Sequence, residues 1–394
     1  MRSLRHGAGA HRRGWAARMA WTVMLTGGLA GCGGADGPAP EIRIGLLATM
    51  EGRFAESSGD PSLRGAELAV SERNAAGGVV VDGVPHQVRL VVRSYDARAD
   101  DAAAQARVLI NEDSVHALLG PQLSAHAIAV AVMAEEARVV MISPMSSNRA
   151  TTEGKRFVFR LAFLDDFQGE VLSDFALDEL KARTGAVLYE ETSPYSSGLA
   201  REFVARFQAG GGRIVAEETF LGDAPLDFQE QLGRIARARP DVLLLPNAMA
   251  ADSVQMRQAR ELGIQSQILG TDTWDLQLSP NLAAAEGVYV THQWHYDMEG
   301  PEVAPFLRRF DAAYQRLPRT TAAMTYDATV LLLDAMERAG AVGGEPLRAA
   351  VAGTRDFQGV TGRISFDGSG SPRRSAVISR VHGGKVSLFR TVDP

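Results

Sequence analysis

The sequence predicts an α/β protein built as two Rossmann-like lobes with a cleft between them. Three observations lead there. From Glu41 onward, short apolar runs alternate with stretches of helical spacing. The alternation comes in two successive blocks. The remaining tail supplies pieces that suit both blocks without opening a third. Strand–helix alternation of this kind builds a mostly parallel sheet covered by helices on both faces, because each parallel strand needs a crossover before the next.

In the first block, Ile42–Leu47 reads as a strand and Ser62–Ala75 as a helix turning Ala66, Leu68, Ala69 and Val70 inward. Val88–Ser94 follows as a strand, Asp100–Asn111 as a helix, Ala117–Leu119 as a buried strand, Ala125–Glu136 as a helix and Val139–Ile142 as a strand. The second block repeats this order: strand Ala186–Tyr189, helix Leu199–Ala209 ended by three glycines, strand Arg213–Phe220, helix Phe228–Ala238, strand Asp241–Leu245, helix Ser253–Leu262 and strand Gln267–Leu269. In the tail, Val303–Leu317 and Ala322–Ala339 are helical, and Val360–Phe366 and Ala376–Val381 are strand-like about a Gly/Ser turn. Ligands of open α/β sheets lie beyond the carboxyl ends of the strands, so the cleft is the expected binding place.

Composition narrows the function. The chain of 394 residues is 45% hydrophobic and 22% charged, which is ordinary globular composition with apolar material for roughly two or three domains. The net charge is −6, and no Lys/Arg-rich run interleaved with aromatics follows the N-terminal segment, which argues against nucleic acid as a partner. No phosphate-cradling loop, G-x-S-x-G elbow or H-E-x-x-H occurs, so nothing marks an enzyme. His292 and His295 bracket Gln293-Trp294, with Asp297 nearby, but strand residues three apart face opposite sides. His116 and His126 flank Gly120-Pro121 without a partnered nucleophile. No metal site and no cofactor are expected.

The N-terminus has its own grammar. Arg2, Arg5, Arg12, Arg13 and Arg18 precede any acidic residue, and an apolar run from Met19 to Leu29 follows. The run falls well short of the ~20 residues that span a bilayer. It ends Leu29-Ala30-Gly31-Cys32, an aliphatic residue and two small ones before a cysteine, which is the pattern of a bacterial lipoprotein signal. Residues 1–31 are expected to be the signal peptide. Residues 32–41 are expected to be the lipidated Cys32 and a flexible Gly/Ala/Pro-rich tether. Cys32 is the only cysteine, so no intramolecular disulfide can form. The expected location is outside the cytoplasm, lipid-anchored to a membrane and facing the periplasm or cell exterior.

The motifs then fall into a known series. Ile42–Val70 is followed by Asn74-Ala75-Ala76-Gly77-Gly78, by Gly120-Pro121 with Ser124, and by Ile142-Ser143-Pro144 with Asn148 and Phe157–Arg160. Tyr195-Ser196-Ser197-Gly198-Leu199-Ala200, Gln258–Gly263, Gly287-Val288-Tyr289, Tyr326-Asp327-Ala328 and Gly359–Gly362 come next, in order. In this order, and over nearly the whole chain after the tether, the series resembles the leucine/isoleucine/valine-type (type I) periplasmic solute-binding proteins of ABC transporters. The resemblance implies a type I periplasmic-binding-protein-like fold whose lobes are joined by a three-crossing hinge. The crossings are expected near 160–163, 290–294 and 360–364. Lobe 1 would comprise 42–162 plus 293–360, and lobe 2 would comprise 163–292 plus 361–394.

The resemblance also implies a site. A ligand carboxylate would be held by Ser124, Ser147 and the backbone around Met145, at strand-to-helix turns where exposed N–H groups and the helix dipole favour an anion. Either serine could instead be only a helix cap. Asp272, in Gly270-Thr271-Asp272-Thr273-Trp274, would take the ligand's ammonium group, and Tyr195 would close over it. Ser58, Leu123, Met145 and Asn247 stand where relatives carry other residue types, so the side-chain pocket is altered. The implied function is capture of an amino acid or amino-acid-like molecule by cleft closure, without chemistry, by a monomer that delivers it to an ABC permease. The other reading is a ligand-sensing module acting through a separate membrane partner.

Overall fold

The structure, a computed structural model, describes residues 40–394 except 97, 223–224, 248–250 and 279–281. The expected signal segment, Cys32 and all but the last residues of the tether lie outside the described residues. No helix among those described is long and apolar enough to cross a membrane.

The first lobe is built on a six-stranded sheet. Its strands are β1 (Glu41–Ala48), β2 (Val79–Val81), β3 (Val84–Ser94), β4 (Ala117–Leu119), β5 (Val140–Ser143) and β6 (Val158–Arg160), in the order β2-β3-β1-β4-β5-β6. All neighbours are parallel except the β2–β3 hairpin. Period-two alternation in β1 sends Ile42, Ile44, Leu46 and Ala48 to one core and Leu47 to the other. Helices α1 (Asp60–Ala75), α2 (Ala99–Asn111) and α3 (Ser124–Ala137) fill the crossovers. Gly45 packs closely, since a Cβ there would lie 2.9 Å from a Leu118 methyl and 3.0 Å from a Leu109 methyl, and those side chains would have to shift to admit it.

The second lobe is a seven-stranded sheet formed by β7 (Thr184–Glu190), β8 (Arg213–Phe220), β9 (Val242–Leu244), β10 (Gln267–Gly270) and β11 (Tyr289–His292), closed by two strands of the tail. Helices α4 (Asp165–Asp174) and α5 (Pro194–Ala209) cover one face, while α6 (Gln229–Ala238) and α7 (Ala251–Glu261) cover the other. In β9, Val242 and Leu244 enter the first of these cores and Leu243 the second.

The tail serves both lobes. Helices α8 (Val303–Tyr314), α9 (Thr320–Ala339) and α10 (Gly344–Ala352) return to the first lobe, where Met324, Leu331 and Leu347 join its core. A small antiparallel sheet follows, of β12 (Phe357–Gly359), β13 (Gly362–Phe366) and β14 (Pro372–Arg373). Only then do β15 (Ala376–His382) and β16 (Lys385–Val392) enter the second sheet, β15 antiparallel to β11. This differs from the sequence expectation, which moved the chain to the second lobe near 360–364. Ile364 and Phe366 alternate on β13 and are buried in the first core, Phe366 edge-on to Phe159 at 5.6 Å. That apolar face holds residues 361–373 in the first lobe, so the third passage comes at Arg374–Ser375.

Arg374 ties the passages together. The side chain is buried, and it donates to the carbonyls of Leu161 (3.1 Å), Gln293 (2.6 Å) and Thr361 (2.8 Å). Asp327 and Asp272 lend the opposing charge that offsets part of its desolvation.

Candidate functional site

The two lobes enclose a cavity of about 190 Å³. Its walls come from the segments that follow β1, β4 and β5 and from the start of α9 in the first lobe, and from those that follow β7 and β10 in the second. These are the carboxyl ends of the parallel strands, where the topology leaves crossovers free to diverge.

On the first lobe, Ser124 opens α3 and lines the cavity. It makes no capping bond. Its hydroxyl accepts instead from the Ser146 hydroxyl at 3.1 Å, and Ser146 lies 2.7 Å from Thr151 Oγ1. Ser58, Leu123, Met145 and His126 stand on the same wall, and the His126 ring is 3.2 Å from the Tyr95 hydroxyl. Helix α3 begins at this wall, and the start of a helix favours an anion through its dipole and its leading N–H groups.

On the second lobe, Asp272 is buried at the end of β10. Tyr195 donates its phenol proton to Asp272 Oδ1 at 2.7 Å, and Gln293 donates from Nε2 to Oδ2 at 2.7 Å. The Tyr195 oxygen is also 2.8 Å from the Thr271 hydroxyl. Burial raises the Asp272 carboxyl above the usual carboxylate range, and the donated hydrogen bonds pull it back. Burial likewise raises the Tyr195 phenol, so it stays a proton donor. Carboxylate and phenol therefore form one polar unit on the cavity wall.

Two sequence expectations are corrected by position. Ser147 is buried behind the cavity, beside Asp165, whose amide donates to the Ser147 carbonyl at 3.1 Å. It is Ser146 that reaches Ser124. Asn247 is wholly buried inside the second lobe. Its Nδ2 donates to Leu188 O and Gln255 Oε1, and its Oδ1 accepts from the Glu190 amide and the Ser196 hydroxyl. Every polar atom of that side chain is spent on pinning β7 to α5 and α7, away from the cavity. The structure brings together Ser58, Leu123, Ser124, Met145, Tyr195 and Asp272.

Sequence reasoning passed over a second carboxylate. Asp275, on the cavity wall of the second lobe, reaches across to the start of α9 in the first. Its Oδ1 accepts from the Thr320 hydroxyl at 3.1 Å and its Oδ2 from Arg319 at 3.3 Å. Arg319 precedes α9 and offers no cap of its own, so Asp275 caps that helix from the opposite lobe. The local signal was Pro318-Arg319-Thr320-Thr321 at a helix start, but nothing local names the distant acid. At the mouth, Arg53 lies over the Phe54 ring at 4.6 Å and donates to the Gly222 carbonyl of the second lobe at 2.9 Å.

The histidine pair lies in the second sheet's last parallel strand and just beyond it. His292 Nε2 meets the Ser379 hydroxyl at 2.6 Å, and burial lowers its pKa to about 3, so it is neutral. No group of three or more His, Cys, Asp or Glu side chains among the described residues is placed to hold a metal ion.

The comparisons agree with this geometry. A sequence profile described as periplasmic binding protein matches residues 41–385. The leucine-, isoleucine-, valine-, threonine-, and alanine-binding protein of Pseudomonas aeruginosa is 26% identical over 84% of this chain and 87% of its own. The crystal structure of a leucine binding protein from Thermotoga maritima superposes with a TM-score of 0.83 at 30% identity, covering 90% of this chain and 99% of that one. A branched-chain amino acid transporter substrate binding protein from Streptococcus pneumoniae, in complex with isoleucine, does so at 0.81 and 30%, covering 90% and 100%. With matching fold, matching length and a two-walled cavity at the strand ends, the chain belongs to the periplasmic binding protein family.

Proposed function

We propose that this protein captures an amino acid, or a small molecule with the same ammonium and carboxylate head, by closing its lobes around it, and delivers it to an ABC-type permease. The observation that carries this reading is the pairing of opposite walls. The Asp272–Tyr195 unit on the second lobe suits an ammonium group, and the first turn of α3 at Ser124 on the first suits a carboxylate. The named ligands of similar proteins, leucine and isoleucine among them, support it. A ligand that touches both walls gains affinity only in the closed form and so shifts the protein toward it. We further propose export, anchorage through a lipid on Cys32, and action as a monomer.

Calorimetric titration with the twenty common amino acids, joined to small-angle scattering with and without the best binder, tests the proposal. The expected result is saturable binding of at least one amino acid together with a smaller radius of gyration. Absence of binding by all of them would refute amino-acid capture.

A further inference from the structure

We propose that Gln122 selects the ligand's side chain, and that this side chain carries a neutral hydrogen-bonding group rather than a purely aliphatic one. The inference rests on the amino-acid reading and sharpens it. Gln122 follows Gly120 and Pro121 at the carboxyl end of β4 and lines the cavity. It is buried, and neither Nε2 nor Oε1 has a hydrogen-bond partner within the protein.

Buried amides are ordinarily paired, because leaving one unpaired forfeits its hydration without return. Three other polar groups on the wall already have protein partners. Ser124 is engaged by Ser146, Asp272 by Tyr195 and Gln293, and Asp275 by Arg319 and Thr320. Gln122 stands apart from these three in that both polar atoms of its amide are buried and unpaired in a residue that lines the cavity.

An amide has no net charge, so its complement is a group that both donates and accepts, such as a carboxamide or a hydroxyl. Ser58 and Thr321 add hydroxyl-bearing side chains to the same lobe's wall. A wholly aliphatic side chain would leave the buried Gln122 amide unpaired when the lobes close, whereas a polar one can pair with it. A site built to hydrogen-bond its substrate rejects analogues that lack the group far more strongly than an apolar pocket rejects a change of size.

The test is calorimetric titration of the full chain with near-isosteric pairs, L-asparagine against L-leucine and L-threonine against L-valine. The expected result is that in at least one pair the polar member binds tighter by about tenfold or more. Gln122→Leu should then abolish or reverse that preference while melting no lower than the parent. Should the leucine variant melt early, Gln122→Met, which keeps the chain length, replaces it. A parent that binds the aliphatic member at least as tightly in both pairs overturns the proposal and leaves amino-acid capture standing. So does a polar preference that survives the substitution. If no amino acid binds at all, the proposed function fails and this inference fails with it.

Discussion

Gln293 donates from Nε2 to Asp272 Oδ2 at 2.7 Å while its Oε1 accepts from the Phe163 amide at 3.2 Å. One side chain thus joins the cavity carboxylate to two of the three passages between the lobes. The Gln293 carbonyl in turn accepts from Arg374, which holds the third. Any change in the charge or pairing of Asp272 is felt where the chain crosses between lobes.

For Asp272→Asn, the relay predicts two losses. The amide keeps the size of the carboxylate but cannot accept from both Tyr195 and Gln293 in their present orientation. Either Tyr195 turns its proton to Thr271 and accepts from the new amide, or Gln293 flips and breaks its bond to the Phe163 amide. Affinity for an ammonium ligand should fall by about 1.5–3 kcal/mol, or roughly ten- to a hundredfold. Thermal stability without ligand should fall too, by about 1 kcal/mol. Titration and a melt on the same variant check both, and an unchanged melting temperature would sink the relay.

Asp275→Asn should weaken binding without removing any ligand contact. The substitution leaves Arg319, a cation at the start of α9, facing the positive end of that helix with no carboxylate opposite. The closed form loses that bridge and the open form loses nothing. Affinity should drop about tenfold. Scattering should show less compaction at equal ligand saturation; full compaction with unaltered affinity would count against the bridge.

Stability should depend on pH through Asp165. Burial, with Asp272 nearby, raises this carboxyl to about 8 in spite of Ser147 and Arg160. The unfolded chain releases the proton near the ordinary value of about 3.9. Between those values the folded state holds a proton that the unfolded state does not, so this group's contribution to stability declines as pH rises from about 4 to about 8 and is flat above. Asp165→Asn should therefore exceed the parent's stability at pH 8.5 by at least about 1.4 kcal/mol, the worth of one pH unit. It should nearly match the parent at pH 4.5. Denaturant melts at the two pH values decide it, and equal stabilities at pH 8.5 would reject the assignment.

Cys32→Ser should release the protein from the membrane. The motive is Leu29-Ala30-Gly31-Cys32, whose cysteine is the acceptor of the proposed lipid. Fractionation of cells expressing parent and variant provides the comparison. A variant that sediments with membranes as fully as its parent would exclude the anchor.

Much of the fold is legible because buried parallel strands are continuous apolar runs: β4 and β9 are short, wholly buried and easily seen. The β2–β3 hairpin is harder, since Val80 and Val84 are exposed at a sheet edge and blur the pattern. Helix α4 is obscured because it buries Asp165, Gln168, Gly169 and Ser173, residues that read as a solvent face. In the cavity wall, Ser124, Tyr195 and Asp272 sit in motifs at strand ends, and it is the family resemblance, not their local pattern, that singles them out. Asp275 and Thr320 were not readable, because partners 45 residues apart announce nothing locally. Asn247 misled for the converse reason: a polar residue at a strand end resembles a ligand contact until its four internal bonds are seen.

The late arrival of β13 in the first lobe has a consequence for synthesis. Ile42 begins that core and Phe366 finishes it, against Phe159. A chain emerging from the ribosome therefore makes β1 to β6 long before the residues that seal them. Until the small antiparallel sheet appears, Phe159 lacks its partner and the apolar face remains open, a situation in which closure by distant segments is slow and exposed surface attracts chaperones. Nascent chains ending before residue 366 should accordingly remain protease-sensitive even though six strands of the first sheet are already present.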